Sequence, residues 1–504
     1  MAAVALSSCN MDYNEYTAYD KEYIERSFAY VGGLMTMVYN DIDTDWGNLS
    51  GAMLSSATDE SEYSHEGNAI EDFYNGNWSA SNPHQTIWTS AYEGITYCNE
   101  IIDNWSNLDF EQFKLNIDYE KQMYLYKNYV YEARWARAYF YFTLLRQYGS
   151  VPFKTTNTTG TEETALPCTN ADDIFNFITK ECDAIKDSII EDYSANPEYI
   201  LARAETGRAN KYAVLALKAQ AAVYHASPLF SQNKSAEEKK ALWAAAVGAC
   251  KELIDAAEKK GMGLADDIES LWAIDYYSNT QSCKEIIFAR RTASANTFEG
   301  YNFPVGYSSG QGGNCPTQDL VDAFECTDGK SISESSLYNE AEPYANRDPR
   351  LTKTIVLNGD AWPNDLAEYS ADHPTVETYV GGYHSRTGNA AGKSYATPTG
   401  YYLKKFCNAN QILRARSGVS VTTSPHGWLT FRMGGMYLNY AESLFQYFKA
   451  CGNSNAADAS GSVTFYDAEG QPQTVAVPAS QTAAKMASKT RTRSGMPAFA
   501  IGMN

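Results

Sequence analysis

The sequence has little positive charge. Its 504 residues include 40 Lys and Arg against 61 Asp and Glu, and the formal net charge is −21 with an isoelectric point near 4.8. Nucleic acids and anionic lipid surfaces bind proteins through a positive face, so this balance disfavours both as partners. The length permits roughly three domains of about 150 residues, or one large helical array with a substantial core.

Long apolar runs are also missing. No stretch reaches the roughly 18 uninterrupted apolar residues typical of a membrane-spanning helix. Near the start, Leu6-Ser7-Ser8-Cys9 has the form of a bacterial lipobox, in which cleavage leaves Cys9 as a lipid-carrying N-terminus. Only Met1 to Ala5 precede it, which is too short for the apolar core of a signal peptide. We therefore expect residues 1–9 to be a truncated signal and lipobox remnant; a coincidental cysteine is the alternative.

Signals of catalysis and metal binding are sparse. The ten cysteines form no Cys-x-x-Cys pair, and the six histidines lie far apart without a His-Glu-x-x-His motif. Gly306 to Gly310 formally match the Gly-x-Ser-x-Gly nucleophile elbow around Ser308, but the glycines that follow oppose the helix that this elbow requires. Acidic clusters such as Asp59-Glu60 are ordinarily solvated surface. No catalytic residue, metal site or cofactor is predicted.

Helical periodicity recurs in blocks along the chain. Apolar residues return at three- and four-residue spacings, which predicts amphipathic helices. Helices of this size joined by short loops indicate a mainly α fold, a tetratricopeptide-like array of helical pairs. The predicted blocks are His84–Trp105, Glu132–Phe153 with a stop at Gly149, Asp172–Ile190, Gly207–Ser227, Ala236–Lys259 and Trp428–Ala450.

Between Gly261 and Gly427 the pattern changes to Gly, Pro, Ser, Asn and Tyr. This composition predicts a loop-rich region inserted in the helical frame, with short extended pieces at Glu285–Ala289 and Thr354–Leu357. Farther along, Ser460–Pro478 alternates apolar and polar residues on both sides of a turn. It predicts a small β-hairpin on the surface.

The stretch Glu132 to Phe153, "EARWARAYFYFTLLRQYGSVPF", holds seven aromatic residues with Arg134, Arg137 and Arg146 among them. We interpret it as buried scaffold, with its arginines paired to carboxylates on adjacent helices. The run from Asn346 to Leu351, "NRDPRL", is interpreted as a structural knot for the same reason, because arginines pair with carboxylates and Pro349 fixes a turn.

The same aromatic stretch resembles the signature helix of the SusD/RagB family of Bacteroidetes outer-membrane nutrient-binding lipoproteins. Further resemblances follow in the family's order and cover nearly the whole chain, so we expect an N-terminal SusD-like helical region at 10–228 and a C-terminal SusD/RagB region at 229–504. The family's last Arg- and Glu-rich helical segment is missing after Arg491–Pro497, so a C-terminal truncation is expected. The other resembling stretches are Met11–Asn40, Thr58-Asp59-Glu60, Gly207–Pro228, "PTQDLVDAFECTDGKSI" from Pro316, "NRDPRL", "GYYLKKF" from Gly400 and "LTFRMGGMYLNYAESL" from Leu429.

This resemblance implies a non-catalytic lipoprotein, lipid-anchored at Cys9 in the outer membrane and facing outward. It would capture an oligo- or polysaccharide and deliver it to a TonB-dependent, SusC-like transporter. The 38 tyrosines fit such a role, because their rings can stack on sugars while their hydroxyls stay hydrated. The negative charge is acceptable for a neutral glycan and weighs mildly against strongly acidic polysaccharides.

The expected ligand surface lies on loops. Trp78 falls in a Gly/Asn/Ser-rich loop with no periodic face to bury it, whereas Trp88 falls on a helix stripe and is expected in the core. In family members, the loop after the early acidic turn and the loop-rich middle of the chain both contribute to the ligand surface. The expected ligand-binding residues are Asp59, Trp78, Asn82, Tyr301 and Tyr307.

Two alternatives stay open at this point. Some members of the family serve oligopeptide uptake, in which the bound chain would be held through backbone hydrogen bonds. A secreted glycoside hydrolase with a pair of carboxylates is the other alternative. The sequence does not fix which ligand is bound.

Overall fold

The structure is a computed structural model that describes residues 21–84, 86–157, 166–193, 207–273, 283–307, 309–362, 372–415 and 418–499. Cys9 and Ser308 lie outside the described residues. No helix in these ranges is long and apolar enough to cross a bilayer. The described α-helices are α1 Lys21–Ile24, α2 Phe28–Asn40, α3 Asp72–Asn75, α4 Trp88–Asp103, α5 Tyr119–Tyr148, α6 Ala171–Ile185, α7 Lys211–Ala226, α8 Pro228–Ser231, α9 Ala236–Lys259, α10 Thr297–Asn302, α11 Gln318–Ala323, α12 Arg350–Thr354, α13 Met433–Ala450 and α14 Ala483–Arg493.

The strands are short and occur in antiparallel pairs. Strand β1 pairs with β5, β2 with β3, β4 with β8, β6 with β7, and β9 with β10. Their bounds are β1 Ser61–Tyr63, β2 Val151–Pro152, β3 Cys168–Thr169, β4 Ile286–Arg291, β5 Asn314–Pro316, β6 Ile355–Val356, β7 Tyr402–Leu403, β8 Gly427–Arg432, β9 Gly461–Tyr466 and β10 Pro472–Val477.

The longer helices pack on one another in chain order. Helix α4 packs on α5, α5 on α6, α6 on α7, α7 on α9, and α9 on α13. Their apolar faces form one large core to which α2 and α14 also contribute. Each helix thus covers the apolar face of its neighbour, and the predicted mainly α, tetratricopeptide-like frame is confirmed.

Helix α5 lies at the centre of this frame. It begins at Tyr119, thirteen residues before the predicted stretch, and ends at Tyr148, followed by Gly149 with φ 70°. All residues from Trp135 to Leu145 are buried. The interpretation as buried scaffold is therefore confirmed.

Arg134 and Arg137 of α5 pair with a carboxylate on an adjacent helix, as predicted, whereas Arg146 pairs with a carboxylate in a loop. Arg134 donates two hydrogen bonds of 2.9 Å to the two carboxylate oxygens of Glu181, the bidentate geometry that guanidinium favours. Arg137 Nη2 donates to the same Glu181 at 3.3 Å, and Arg146 Nη2 donates to Asp43 Oδ2 at 3.5 Å. These pairs join α5 to α6 and to the segment after α2.

Two helix starts show where local sequence signals predict a boundary correctly and where they do not. Helix α9 has the predicted bounds, because Ser235 and Glu238 form a reciprocal capping box at its start. The predicted start of the last long helix at Trp428 is wrong. Residues Gly427–Arg432 form strand β8 paired with β4, and helix α13 begins at Met433. The partner strand comes from a distant part of the sequence, and its hydrogen bonds override the local helical pattern.

The loop-rich region and the hairpin are both confirmed. The predicted extended pieces become β4 and β6, inside a region of turns and short helices. In the hairpin, Val463 lies opposite Val475, and the ring of Phe465 packs against helix α9. A Cβ at Gly248 of α9 would lie 2.4 Å from that ring, so only glycine permits this approach.

The predicted structural knot at Asn346 to Leu351 holds in part. Arg350 Nε donates to both oxygens of Asp348 at 3.0 Å, as expected. Arg347 does not pair with a carboxylate in the described chain; its guanidinium donates to the backbone oxygens of Val321 and Phe324 at 2.6 and 2.7 Å. Both carbonyl groups lie at the C-terminal end of α11, where the helix no longer supplies its usual i+4 donors.

Candidate functional site

A loop of residues 72–84, called the Asp72 loop below, closes on one carboxylate. His84 Nε2 donates to Asp72 Oδ2 at 2.7 Å, and Asn82 Nδ2 donates to the same oxygen at 3.0 Å. Asn77 Nδ2 donates to Asp72 Oδ1 at 3.2 Å, and the backbone N–H of Trp78 donates to the backbone oxygen of Asp72 at 2.9 Å. The hydrogen bond from His84, with those from Asn77 and Asn82, lowers the pKa of Asp72 to about 2. The loop is therefore held by an ionised carboxylate at neutral pH.

The Asp72 loop presents two aromatic side chains to solvent. Trp78 is 55% exposed, and its ring centroid lies 5.2 Å from that of Phe73. Tyr74 is 59% exposed. Trp78 thus lies on the surface, as the sequence predicts, with Phe73 beside it as support. Asn82 is exposed but uses its amide to hold the loop, so its observed contacts are structural.

The expectation that Trp88 lies in the core is wrong. Its side chain is 40% exposed, and its ring makes an edge contact with Tyr148 at 5.1 Å. Trp88 is the first residue of α4, and Tyr148 is the last residue of α5, so Trp88 stands at the end of the apolar stripe and is covered only in part. Periodicity identified its face of the helix correctly and missed its position at the helix end.

The early acidic turn is joined to the loop-rich region. Asp59 is exposed, and its backbone oxygen accepts a hydrogen bond from Thr317 Oγ1. Strand β1 follows directly and pairs with β5, leaving Glu62 exposed between two buried residues. The carboxylate of Asp59 has no observed partner among the described residues. In the same ranges, no group of three or more His, Cys, Asp or Glu side chains could hold a metal ion.

Tyr301 lies beside a small cavity of about 270 Å³. Its ring also packs closely on Gly51, where an added Cβ would lie 2.7 Å from Tyr301 Cδ1, and where φ of +97° independently requires glycine. The cavity is mostly polar, which suits hydrogen bonds to hydroxyl groups. Its other lining residues are Asn296, Thr297, Gly300, Ser309, Gln311 and Leu413.

Tyr307 does not reach the surface, contrary to the expected ligand contact. Its side chain is 2% exposed, and its ring stacks on His384 at 4.7 Å with an interplanar angle of 6°. The chain after it turns inward at Gly310, where a Cβ would lie 2.5 Å from the backbone oxygen of Pro304. Burial lowers the pKa of His384 to about 4, so the stacked pair is uncharged at neutral pH. Tyr307 is therefore a core residue of the loop-rich region.

Tyr395 is a further exposed aromatic residue, which the sequence did not single out. It is 42% exposed and stacks on His65 at 4.2 Å, and His65 in turn lies 4.9 Å from Tyr63. Tyr395 stands in a Gly- and Ser-rich loop with no periodicity, so no local signal separates it from the many other tyrosines. Asp72 and Tyr74 were missed as well, because no local signal separates either of them from the other residues of its type.

One small core brings these side chains together. Ala52, Tyr63 and Ile70 are buried side by side, with Phe73 of the Asp72 loop packed against them. An added Cβ at Gly51 would touch both the Tyr63 hydroxyl and the Tyr301 ring. The exposed or half-buried rings around this core form what we call the aromatic rim, which consists of Tyr74, Trp78, Tyr301 and Tyr395.

Two family models match the chain. The model described as "SusD family" matches residues 269–501, and the model described as "Starch-binding associating with outer membrane" matches residues 20–223. A search of curated proteins gave no significant match.

Several solved structures share the fold. A SusD-like protein from Bacteroides fragilis is 21% identical with a TM-score of 0.65, and the match covers 95% of this chain and 81% of that one. A SusD-like carbohydrate binding protein from the same species is 20% identical, with a TM-score of 0.61 and coverage of 93% and 84%. Surface glycan-binding protein A from Bacteroides uniformis is 16% identical, with a TM-score of 0.55 and coverage of 94% and 82%. At these identities the likeness establishes the fold.

Proposed function

Because the chain belongs to the SusD/RagB family, we propose that it is a surface glycan-binding lipoprotein that delivers oligo- or polysaccharide to a TonB-dependent, SusC-like outer-membrane transporter. The family model that matches residues 20–223 is described by starch binding and outer-membrane association. Two of the similar structures carry names that record carbohydrate or glycan binding. These similarities support the class of ligand.

The observation that carries the proposal is the exposed Trp78 ring on a loop that is held by its own hydrogen bonds. Aromatic rings stack on the apolar faces of sugars, and a rigid ring loses little conformational entropy when it binds. Asp72 fixes the backbone of Trp78 through the 2.9 Å hydrogen bond, and Phe73 lies beside the ring. The aromatic rim then offers several such rings, with the polar cavity at Tyr301 to bind hydroxyl groups.

Binding without turnover is the second part of the proposal. Glu62 is exposed and acts electrostatically on Tyr74 of the rim, and Asp59 is exposed three residues before it, so a hydrolytic pair of these two carboxylates is the alternative to be tested. The membrane link is proposed to be lipid on Cys9, with the protein facing outward. Several acyl chains on one cysteine would anchor it stably, whereas a single chain binds only marginally.

The experiment is a glycan array of plant, host and microbial polysaccharides, read in the presence and absence of an excess of mixed oligopeptides. The proposal expects one glycan class to bind, no competition by peptide and no new reducing ends after incubation. Binding abolished by peptide would support the oligopeptide alternative. New reducing ends that disappear on Asp59→Asn or Glu62→Gln would support the hydrolase alternative.

Co-purification tests the partner. Mild solubilisation of outer membranes should bring a TonB-dependent barrel down with the protein. A protein that reproducibly purifies alone would contradict delivery to a transporter and leave surface capture as its role.

A further inference from the structure

The ammonium group of the half-buried Lys405 lies over two aromatic rings. Its Nζ lies 4.8 Å from the ring centroid of Phe406 and 5.9 Å from that of Trp272. Across the described ranges, no carboxylate oxygen lies within ion-pair distance of this nitrogen. The adjacent Lys404 differs, because its Nζ donates to the backbone oxygen of Thr352 at 2.6 Å. Within the described part of the chain, the Lys405 ammonium is thus held by ring faces and not by a carboxylate.

The rings beside Lys405 form a partly exposed wall. Phe406 lies 5.4 Å from Trp46, 5.9 Å from Trp272 and 6.0 Å from Trp428, and all four rings are half-buried. Phe406 has φ of 69°, a left-handed conformation that an aromatic residue rarely adopts. Backbone of this kind is often found at ligand-binding sites, where the surrounding structure holds it in place.

Lys405 lies within electrostatic reach of a second cation, Arg432. Glu285 is fully buried and accepts hydrogen bonds of 2.8 Å from both Arg432 and Arg493, so one carboxylate serves two guanidinium groups. Burial and then repulsion from Arg432 lower the pKa of Lys405, against the attraction of Glu60. Glu60 lies too far away to form an ion pair. An anion beside Lys405 would gain from the charge of Lys405 and from that of Arg432.

The rest of the molecule limits what that anion can be. With a net charge of −21, the chain repels a glycan that carries a negative charge on every sugar unit. A single carboxylate on an otherwise neutral glycan can meet Lys405 and Arg432, and its sugar ring can lie against the aromatic wall. Isolated acidic sugars therefore fit better than either fully neutral or fully charged chains.

We propose that Lys405, with Trp272 and Phe406, forms a subsite for a carboxylated sugar residue within a mainly neutral glycan. This inference rests on the proposed glycan-binding function and names a chemical feature of the ligand. The subsite is joined to the aromatic rim, because Trp46 contacts Phe406 at 5.4 Å and Phe298 at 4.9 Å, and Phe298 lies on the short helix that carries Tyr301.

The test compares matched pairs of oligosaccharides, each neutral or carrying one glucuronic acid, together with their singly sulfated counterparts and an oligogalacturonate. The wild-type protein should favour the singly carboxylated member of a pair by roughly tenfold. Lys405→Arg should keep that preference, and Lys405→Met, which preserves the apolar stem, should remove it. Lys404→Met is the matched control and should leave the preference unchanged.

Several results would overturn the subsite. They are equal binding of neutral and carboxylated members, a preference that survives in Lys405→Met, and stronger binding of the sulfated or fully charged probes. Trp78→Ala separates this inference from the proposed function, since it should weaken both members of a pair by the same factor. Free glucuronate, titrated against glucose, tests Lys405 even if no array glycan binds the rim; equal binding of the two monosaccharides would then count against the subsite.

Discussion

His84 Nε2 and Asp72 Oδ2 lie 2.7 Å apart, and this hydrogen bond closes the loop that presents Trp78. The two residues stand twelve positions apart, so their contact joins the two ends of the Asp72 loop. Between them, every side chain that meets the Asp72 carboxylate is an amide that also comes from this loop. Asp72 is thus a positioning residue, and Trp78 is the ring that it positions.

Removing that carboxylate should weaken ligand binding without unfolding the frame. We expect Asp72→Ala to lower glycan affinity by about fivefold, because roughly 1 kcal/mol is then spent on ordering the loop when the ligand binds. Asp467→Ala is the matched control, since Asp467 caps the hairpin turn in the same way, accepting from the Gln471 backbone at 2.7 Å. Calorimetric titration of both variants checks this, and equal losses would contradict a specific role for Asp72.

The buried His384 should make stability depend on pH. Burial lowers its pKa from 6.5 to about 4, so the unfolded chain binds this proton between those values and the folded chain does not. The contribution of neutral His384 to the free energy of unfolding is fully present above pH 6.5 and is lost as the pH falls to 4. The loss is at most about 3 kcal/mol. His384→Asn keeps an acceptor for the Glu377 N–H and removes the titration. The difference in urea midpoint between the two proteins should therefore shrink toward pH 4. A constant difference across this range would show that His384 does not titrate in this way.

Two helical glycines should respond in opposite directions to alanine. A Cβ at Gly94 of α4 would lie 2.4 Å from the Phe140 ring, so Gly94→Ala should destabilise the protein by about 1–3 kcal/mol. At Gly33 of α2 nothing lies within 4 Å, and Gly33→Ala should be neutral or stabilise by up to about 1 kcal/mol. Thermal melting of both variants measures the contrast. Similar melting temperatures would mean that α4 and α5 do not pack this closely.

Lipid attachment gives a prediction outside the described residues. Expressed with a complete signal sequence, the protein should carry lipid on Cys9 and fractionate with the outer membrane. Cys9→Ser should release it, and protease added to intact cells should digest the wild-type protein. Equal recovery of both forms in the outer-membrane fraction would show that Leu6 to Cys9 is a coincidental match.

The frame could be predicted from the sequence because its signals are local. Helix α9 carries its own capping box, and the hairpin carries its own turn and alternation, so neither needs information from distant residues. Strand β8 was misread as helix because its partner β4 lies more than a hundred residues earlier. Pairing at that distance leaves no local periodicity to detect.

The site was predicted only in part, for a similar reason. Trp78 stood out because its loop lacks a periodic face, and it is exposed. Tyr307 was expected at the ligand surface because the loop-rich middle of the chain contributes to that surface in family members, but its stacking on His384 depends on a residue far along the chain. The rim itself forms because Gly51, Tyr63 and Tyr301 meet around one small core, and no spacing in the sequence encodes that meeting.

The most direct test of the central claim is the affinity and stability of Trp78→Ala, measured on the glycan that the array selects. If Trp78 is the stacking ring, the variant should lose on the order of 2 kcal/mol of binding, at least tenfold in affinity. Its melting temperature should barely change, because the ring is 55% exposed. Trp88→Ala removes another exposed tryptophan as the control and should bind normally. Unaltered affinity in Trp78→Ala, with a melting temperature lowered as for a core tryptophan worth about 3–5 kcal/mol, would contradict the account.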